Sequence, residues 1–195
     1  MAEDRGEAMA ARVERAVRRA GLDAYADPMA YLFRAVLKHR STVIEDPEHP
    51  DFLHPGRTVL ILLEDLRSTD PDTLLAAPLR DSEQPEADLP DERALRLAGP
   101  RAAAIAAALP AAGSDDGDRL EALVSLDPES LLVALAERLD HARHLHLRAP
   151  ESWAPFHRQI GAADLPAAAR SHPRLAMRLE SWHERFARRF LRPAQ

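Results

Sequence analysis

Three of the chain's four Asp-Pro dipeptides, Asp27-Pro28, Asp70-Pro71 and Asp127-Pro128, stand at or just before the start of apolar residues at helical spacing. An aspartate there can accept hydrogen bonds from the unpaired amides of a helix's first turn. Proline at the next position loses nothing, because its missing N–H would have had no partner. The three pairs therefore predict three helix starts. Composition agrees: apolar residues make up 46% of the chain, led by Ala and Leu, while aromatic residues are only 5%, a balance that favours helices over strands. The expected fold class is all-α, in a single domain over 1–195.

The same signals set boundaries. A first helix is expected from about Glu7 to Ala20, stopped by Gly21, and a second from Pro28 to about Arg40. Ser41 to Leu53 reads as a loop. His54-Pro55 opens a third helix with the apolar stripe Val59, Leu60, Leu62, Leu63 and Leu66, and Pro71 a fourth that reaches toward Asp81 unless Pro78 kinks or ends it. The acidic, Pro-rich stretch from Asp81 to Glu92 reads as an exposed, mobile loop, followed by two Ala-rich helices and a linker, Ala111 to Gly117. The strongest helix is expected from Pro128 to about Leu147. Helical segments near Glu151 to Gln159 and His172 to Leu191 end the chain, the last with Leu175, Leu179, Trp182, Phe186 and Phe190 on one face.

Several function classes are disfavoured. With no cysteine, only His, Asp and Glu remain as protein ligands for a metal. A net charge of −6 argues against nucleic acid as a partner, since a phosphate-backbone binder needs a basic stripe. The start lacks the features of a signal peptide, and no apolar run approaches about 20 residues, so a cytoplasmic location without membrane association is expected. Lys38 is the only lysine, so the basic side chains are almost all guanidiniums suited to forked recognition of carboxylate or phosphate. The GxxxxGK, GxGxxG and GxSxG patterns are absent.

Three segments carry chemistry: His54-Pro55, then Leu79-Arg80-Asp81, then Leu135-Ala136-Glu137-Arg138-Leu139-Asp140-His141-Ala142-Arg143. In order and spacing they resemble the hydrolase domain of the RelA/SpoT family. There the pattern reads His-Pro, then Leu-His-Asp followed by a Glu-Asp pair, then Leu-Ala-Asp-Arg-Leu-His-Asn-Met-Arg. The resemblance covers about 31–145 and extends weakly into Ala154-Pro155-Phe156-His157-Arg158. It implies an HD-type helical bundle with its motif core over about 28–147 and the helices of 150–191 packed on it. It also implies hydrolysis of the 3′-pyrophosphate of the alarmone ppGpp with a manganese ion held by two histidines and two aspartates. The implied ligand positions here are His54, Asp81 and Glu137, the last one methylene longer than the family's aspartate.

The match breaks at Arg80, which stands where the second histidine belongs. A guanidinium has no lone pair for a metal. Its permanent charge beside a divalent ion adds repulsion of several kcal/mol at an effective dielectric constant of about 20. Arg80 is therefore expected to replace the ion, flanked by Asp81 and Glu137 in a charge-balanced cluster, or to hold an anionic substrate group directly. The Glu-Asp pair is Gln84-Pro85 here, with Glu83 adjacent, and the basic pair that contacts guanine in the family is Glu45-Asp46. With Glu48, that rim repels an alarmone. Glu137, His141 and His144 at i, i+4 and i+7 share a helix face, with Asp140 beside them. The two imidazoles suit a base, acid or ligand, or are solvent-exposed histidines on a charged helix. A zinc site from His141, His144 and His146 is disfavoured, since His146 points elsewhere and no HExxH is present.

These observations lead to an expected function: a divergent HD-fold protein without a cofactor, past manganese-dependent hydrolysis, serving as a ligand- or partner-binding subunit. Candidate catalytic residues are Arg80, Glu137 and His141, and candidates for binding an anionic small molecule are Arg80, Arg138, His141 and His144. A protein partner or a second copy of the chain is expected. Two alternatives stay open. One is a manganese-dependent nucleotide pyrophosphohydrolase using His54, Asp81 and Glu137 with a fourth ligand such as His49, His141 or His157. The other is a metal-independent catalyst in a biosynthetic complex, with Arg80 binding an anionic leaving group.

Overall fold

The computed structural model describes residues 2–46, 48–110 and 116–191. Among them there is no strand, and the chain is all-α. Helices α1 (Ala2–Arg19) and α2 (Asp23–Arg40) form a hairpin that turns at Gly21, whose φ of 78° is a left-handed conformation glycine adopts without a Cβ penalty. Then follow α3 (His54–Leu60), which runs on into a wider turn, Ile61–Asp65, and α4 (Pro71–Ala76). Next come α5 (Asp91–Ala98), α6 (Pro100–Ala107), α7 (Asp116–Ser125) and α8 (Pro128–His144). Helices α9 (Trp153–Gln159), α10 (Leu165–Ser171) and α11 (Pro173–Phe186) complete the fold.

Two of the three Asp-Pro pairs cap helices as the chemistry requires. Asp70 accepts from the Thr73 amide at 2.8 Å, and Asp127 from the Ser130 amide at 2.9 Å. Such a cap contributes about 1 kcal/mol. Asp27-Pro28 does not start a helix: α2 begins at Asp23 and Pro28 lies inside it. Proline's φ is helical, so the helix continues through it at the cost of one ladder bond and crowding against the carbonyl one turn back. Ala26 is buried and Leu22 packs on the main core, so tertiary contact extends the helix past its local signal. Pro78 does end α4 early, at Ala76.

Helix α8 is the axis of the molecule, packing on α3, α4, α6, α7, α10 and α11. Its Val133, Ala134, Leu135, Ala136, Leu139 and Ala142 are buried, and so are Glu137, Arg138, Asp140 and His141. A helix enclosed on most of its surface must bury its charged positions too, and those are stable only when paired. The main core also takes in the α3 stripe and Leu175, Leu179 and Phe186 of α11, with Trp182 and Phe190 partly buried at its edge. A smaller cluster gathers Ala10, Phe33, Leu37, Ile44, Phe52, Leu53 and Ala87 beneath the 41–53 segment.

The 81–92 segment departs from the expected exposed loop. Asp81, Ala87 and Leu89 point inward and are buried, because the segment folds over α8 and fills its own share of the core. Most of the Ala111 to Gly117 linker lies outside the described residues, and Asp116 and Gly117 begin α7. No helix among the described residues is long and apolar enough to cross a membrane.

Candidate functional site

His54 is the first residue of α3, and Pro55 follows without cost to the ladder. Gly56 brings that first turn hard against α1 and α2: a Cβ there would lie 2.6 Å from Met9 Cγ and 2.8 Å from Phe33 Cζ. His54 is thereby pressed toward α8, where Glu137 and His141 sit one turn apart on one face. Asp81 arrives on the segment after α4. One ligand atom from each of His54, Asp81, Glu137 and His141 lies within 4.8 Å of the other three. All four residues are between 0% and 2% exposed, and the two imidazoles stack with centroids 4.1 Å apart.

Each imidazole is oriented by a carboxylate outside the set. His54 Nδ1 donates to Asp140 Oδ2 at 2.8 Å, which leaves Nε2 as the nitrogen available to coordinate. Asp140 also accepts from Arg57 Nε at 2.8 Å and from Arg57 Nη2 at 2.9 Å. His141 turns Nε2 inward, 3.0 Å from Asp81 Oδ1 and 3.9 Å from Glu137 Oε1. Its Nδ1 is contested. Arg148 Nη2 donates to it at 2.8 Å, while Asp51 Oδ1, buried and without a hydrogen-bond partner, lies 3.4 Å away. A ring that carries a proton on Nδ1 has its acceptor in Asp51. A ring without one accepts from Arg148.

The carboxylates are equally constrained. Asp81 Oδ2 accepts from Arg40 Nη2 at 2.7 Å, and the same guanidinium nitrogen reaches the Asp51 carbonyl at 2.8 Å. The Ser82 amide donates to Glu137 Oε1 at 2.7 Å, and the Ser82 hydroxyl donates to the same oxygen. Burial opposes ionisation of Asp81, but His54, His141 and Arg40 outweigh it and hold the carboxyl well below the usual range. Asp51 and Asp140 are likewise lowered against burial, Asp51 by His141 and Arg148, Asp140 by His54 and Arg57. Burial also opposes charge on His141, yet Asp81, Asp51 and Glu137 raise it to about 9. Asp88, whose Oδ1 accepts from the Asp81 amide, is pushed up to about 7, chiefly by burial.

Four carboxylates, Asp51, Asp81, Glu137 and Asp140, thus meet three guanidiniums, Arg40, Arg57 and Arg148, the last of them shared with Glu83. A proton on His141 or a bound cation offsets negative charge that the guanidiniums leave uncompensated. Two imidazoles and two carboxylates are a donor set that suits a divalent first-row ion.

The expected site residues separate. Glu137 and His141 are in the cluster. Arg80 is not between Asp81 and Glu137: its side chain is 36% exposed and pairs with Asp88 at 3.4 Å. Asp81 turns into the core while the preceding side chain turns out, since adjacent residues of a non-helical segment project to different sides, and Arg40 from α2 supplies the buried guanidinium instead. Arg138 is buried beside the cluster and binds Glu83 and Gln159. His144 faces away, donating Nδ1–H to the Asp140 carbonyl at 2.8 Å. It lines a cleft of about 270 Å³ with Arg12, Arg57, Asp140 and Arg143. Burial lowers the His144 pKa. Of the fourth-ligand candidates, only His141 joins the set; His157 stacks on His183 at 3.7 Å, and His49 accepts from the Asp51 amide. His146 stacks on Phe190, so His141, His144 and His146 do not converge. Sequence reasoning missed Arg40, Asp51 and Arg148. Nothing local marks them, since each lies in a terminal or looped stretch where a charged residue is ordinary.

The chain matches no protein-family model, no curated protein and no solved structure.

Proposed function

We propose that this protein is a metal-dependent hydrolase of phosphoester or pyrophosphate bonds, an HD-type site rebuilt so that His141 on α8 takes the place vacated at Arg80. The observation that carries this reading is the convergence of His54, Asp81, Glu137 and His141. The carboxylate held on the outer nitrogen of His54, and the orphaned Asp51 oxygen facing His141, are what a metal-binding imidazole needs to fix its tautomer. A divalent ion bound there would supply Lewis acidity toward water and a phosphoryl oxygen. Asp140 holds the proton on His54 Nδ1, and Ser82 fixes the Glu137 carboxylate. Arg40 offsets the charge of Asp81.

A second reading is favoured by the burial of all four residues and by the Arg40–Asp81 contact: a closed, charge-balanced cluster that orders the core of a binding subunit. Metal content after dialysis against manganese and gel filtration separates the two. The hydrolase reading expects about one ion per chain, lost in His54→Ala and in His141→Ala and retained in Arg80→Ala. A metal-free protein with an intact helical spectrum supports the closed cluster.

A further inference from the structure

Glu83 is an acidic side chain folded inward from the segment after α4. It meets two guanidiniums: Oε1 accepts from Arg138 Nη1 at 2.6 Å, and Oε2 from Arg148 Nη1 at 3.0 Å. Two separate arginines forked onto the two oxygens of one carboxylate form an anion clamp. Neither depends on Glu83 for its place. Arg138 is buried, lies 3.9 Å over the Phe156 ring, donates to Gln159 Oε1 at 2.8 Å and has Asp164 3.5 Å from its Nε. Arg148 donates to Asp51 Oδ2 at 2.8 Å, and its carbonyl accepts from Trp153 Nε1 at 3.0 Å. Removing the Glu83 carboxylate therefore leaves two preset guanidiniums facing one vacated position.

That position adjoins the four-residue cluster. The chain passes in three consecutive residues from Asp81, within the cluster, through Ser82 on Glu137, to Glu83 in the clamp, and the Glu83 amide donates to Asp81 Oδ1 at 3.1 Å. We propose that Arg138 and Arg148 form a binding site for a phosphoryl group, and that Glu83 is its internal occupant, which an incoming phosphoryl group displaces. A tethered carboxylate competes at a high effective concentration, so a free monocarboxylate does not dislodge it. A phosphate dianion offers more oxygens and twice the charge to the same two forks. The clamp is assigned from its own geometry and does not rest on the metal reading.

The test is calorimetric titration of the full chain with inorganic phosphate in EDTA, so that the metal plays no part. Glu83→Ala is expected to bind phosphate at least about tenfold more tightly than the unaltered protein. Acetate, a single carboxylate like the one removed, gains in the same variant but stays weaker than phosphate, and the phosphate gain disappears in Glu83→Ala combined with Arg148→Ala. Glu83→Gln, which keeps the shape and removes the charge, shifts affinity in the same direction and serves if the alanine variant fails to fold. Phosphate affinity unchanged in a folded Glu83 variant overturns the proposal, as does a gain that survives loss of Arg148. A protein that takes up no manganese yet shows the phosphate gain keeps the clamp and rejects only the metal centre.

Discussion

Replacing Asp140 with asparagine isolates the residue that orients His54. The side chain keeps its size, so the cavity is unchanged, but one oxygen becomes an amide donor facing groups that are themselves donors, His54 Nδ1 and the two Arg57 nitrogens. Breaking a fully buried ion pair costs about 3–5 kcal/mol. Arg57 keeps some access to water, which brings the expectation to about 2–4 kcal/mol, and at this chain length each kcal/mol lowers Tm by roughly 2–4 °C. Melting in EDTA, followed by circular dichroism, should therefore fall by roughly 5–15 °C. In the same variant manganese affinity should drop by about 10–100-fold, because the imidazole loses the partner that fixes its tautomer. The pH dependence has a defined sign. The Asp140 carboxyl is lowered in the folded state by His54 and Arg57 against burial, so its contribution is present above the unfolded value of about 3.9 and is lost as pH falls below it. The asparagine variant should show a shallower acid limb. Unchanged Tm together with unchanged manganese affinity would refute the orienting role and leave the His54–Asp140 contact an incidental one.

His141 predicts the opposite slope. Its pKa is raised to about 9, so in EDTA its contribution is full below about 6.5 and disappears as pH rises through about 9. Denaturant unfolding across that window should show a decline that His141→Gln flattens; a level profile means that the ring is neutral and accepts from Arg148 at Nδ1. Gly56→Ala tests how α3 is seated. The added methyl meets Met9 and Phe33 and should cost about 1–3 kcal/mol, partly recovered when Phe33→Leu is added, and full stability in the single variant would show that α1 and α2 give way freely.

Much of the framework was legible locally. Asp70 and Asp127 cap as their chemistry demands, Pro78 stops α4, Gly21 turns the first hairpin, and the α3 stripe is buried. Each of these depends on groups within a few residues of one another, so spacing is sufficient. Asp27-Pro28 shows the limit: the same dipeptide lies inside α2, because packing of Ala26 outweighs a cap of about 1 kcal/mol.

The site divides along the same line. That Glu137 and His141 share a face follows from the helical repeat, and the absence of cysteine confines any metal to His, Asp and Glu. Which charges meet across the core does not follow from spacing. Arg40 and Arg80 are both arginines near element ends, yet one is buried on Asp81 and the other reaches the surface beside Asp88. Asp51 and Arg148, 97 residues apart, meet only because α8 is enclosed on most sides and its polar residues must find partners from whatever segments cover them. The chain on its own determined helices, caps and the available ligand types. The tertiary structure decided which guanidinium stands inside and that His141 completes the cluster, because pairing of buried charge is settled by packing between distant segments.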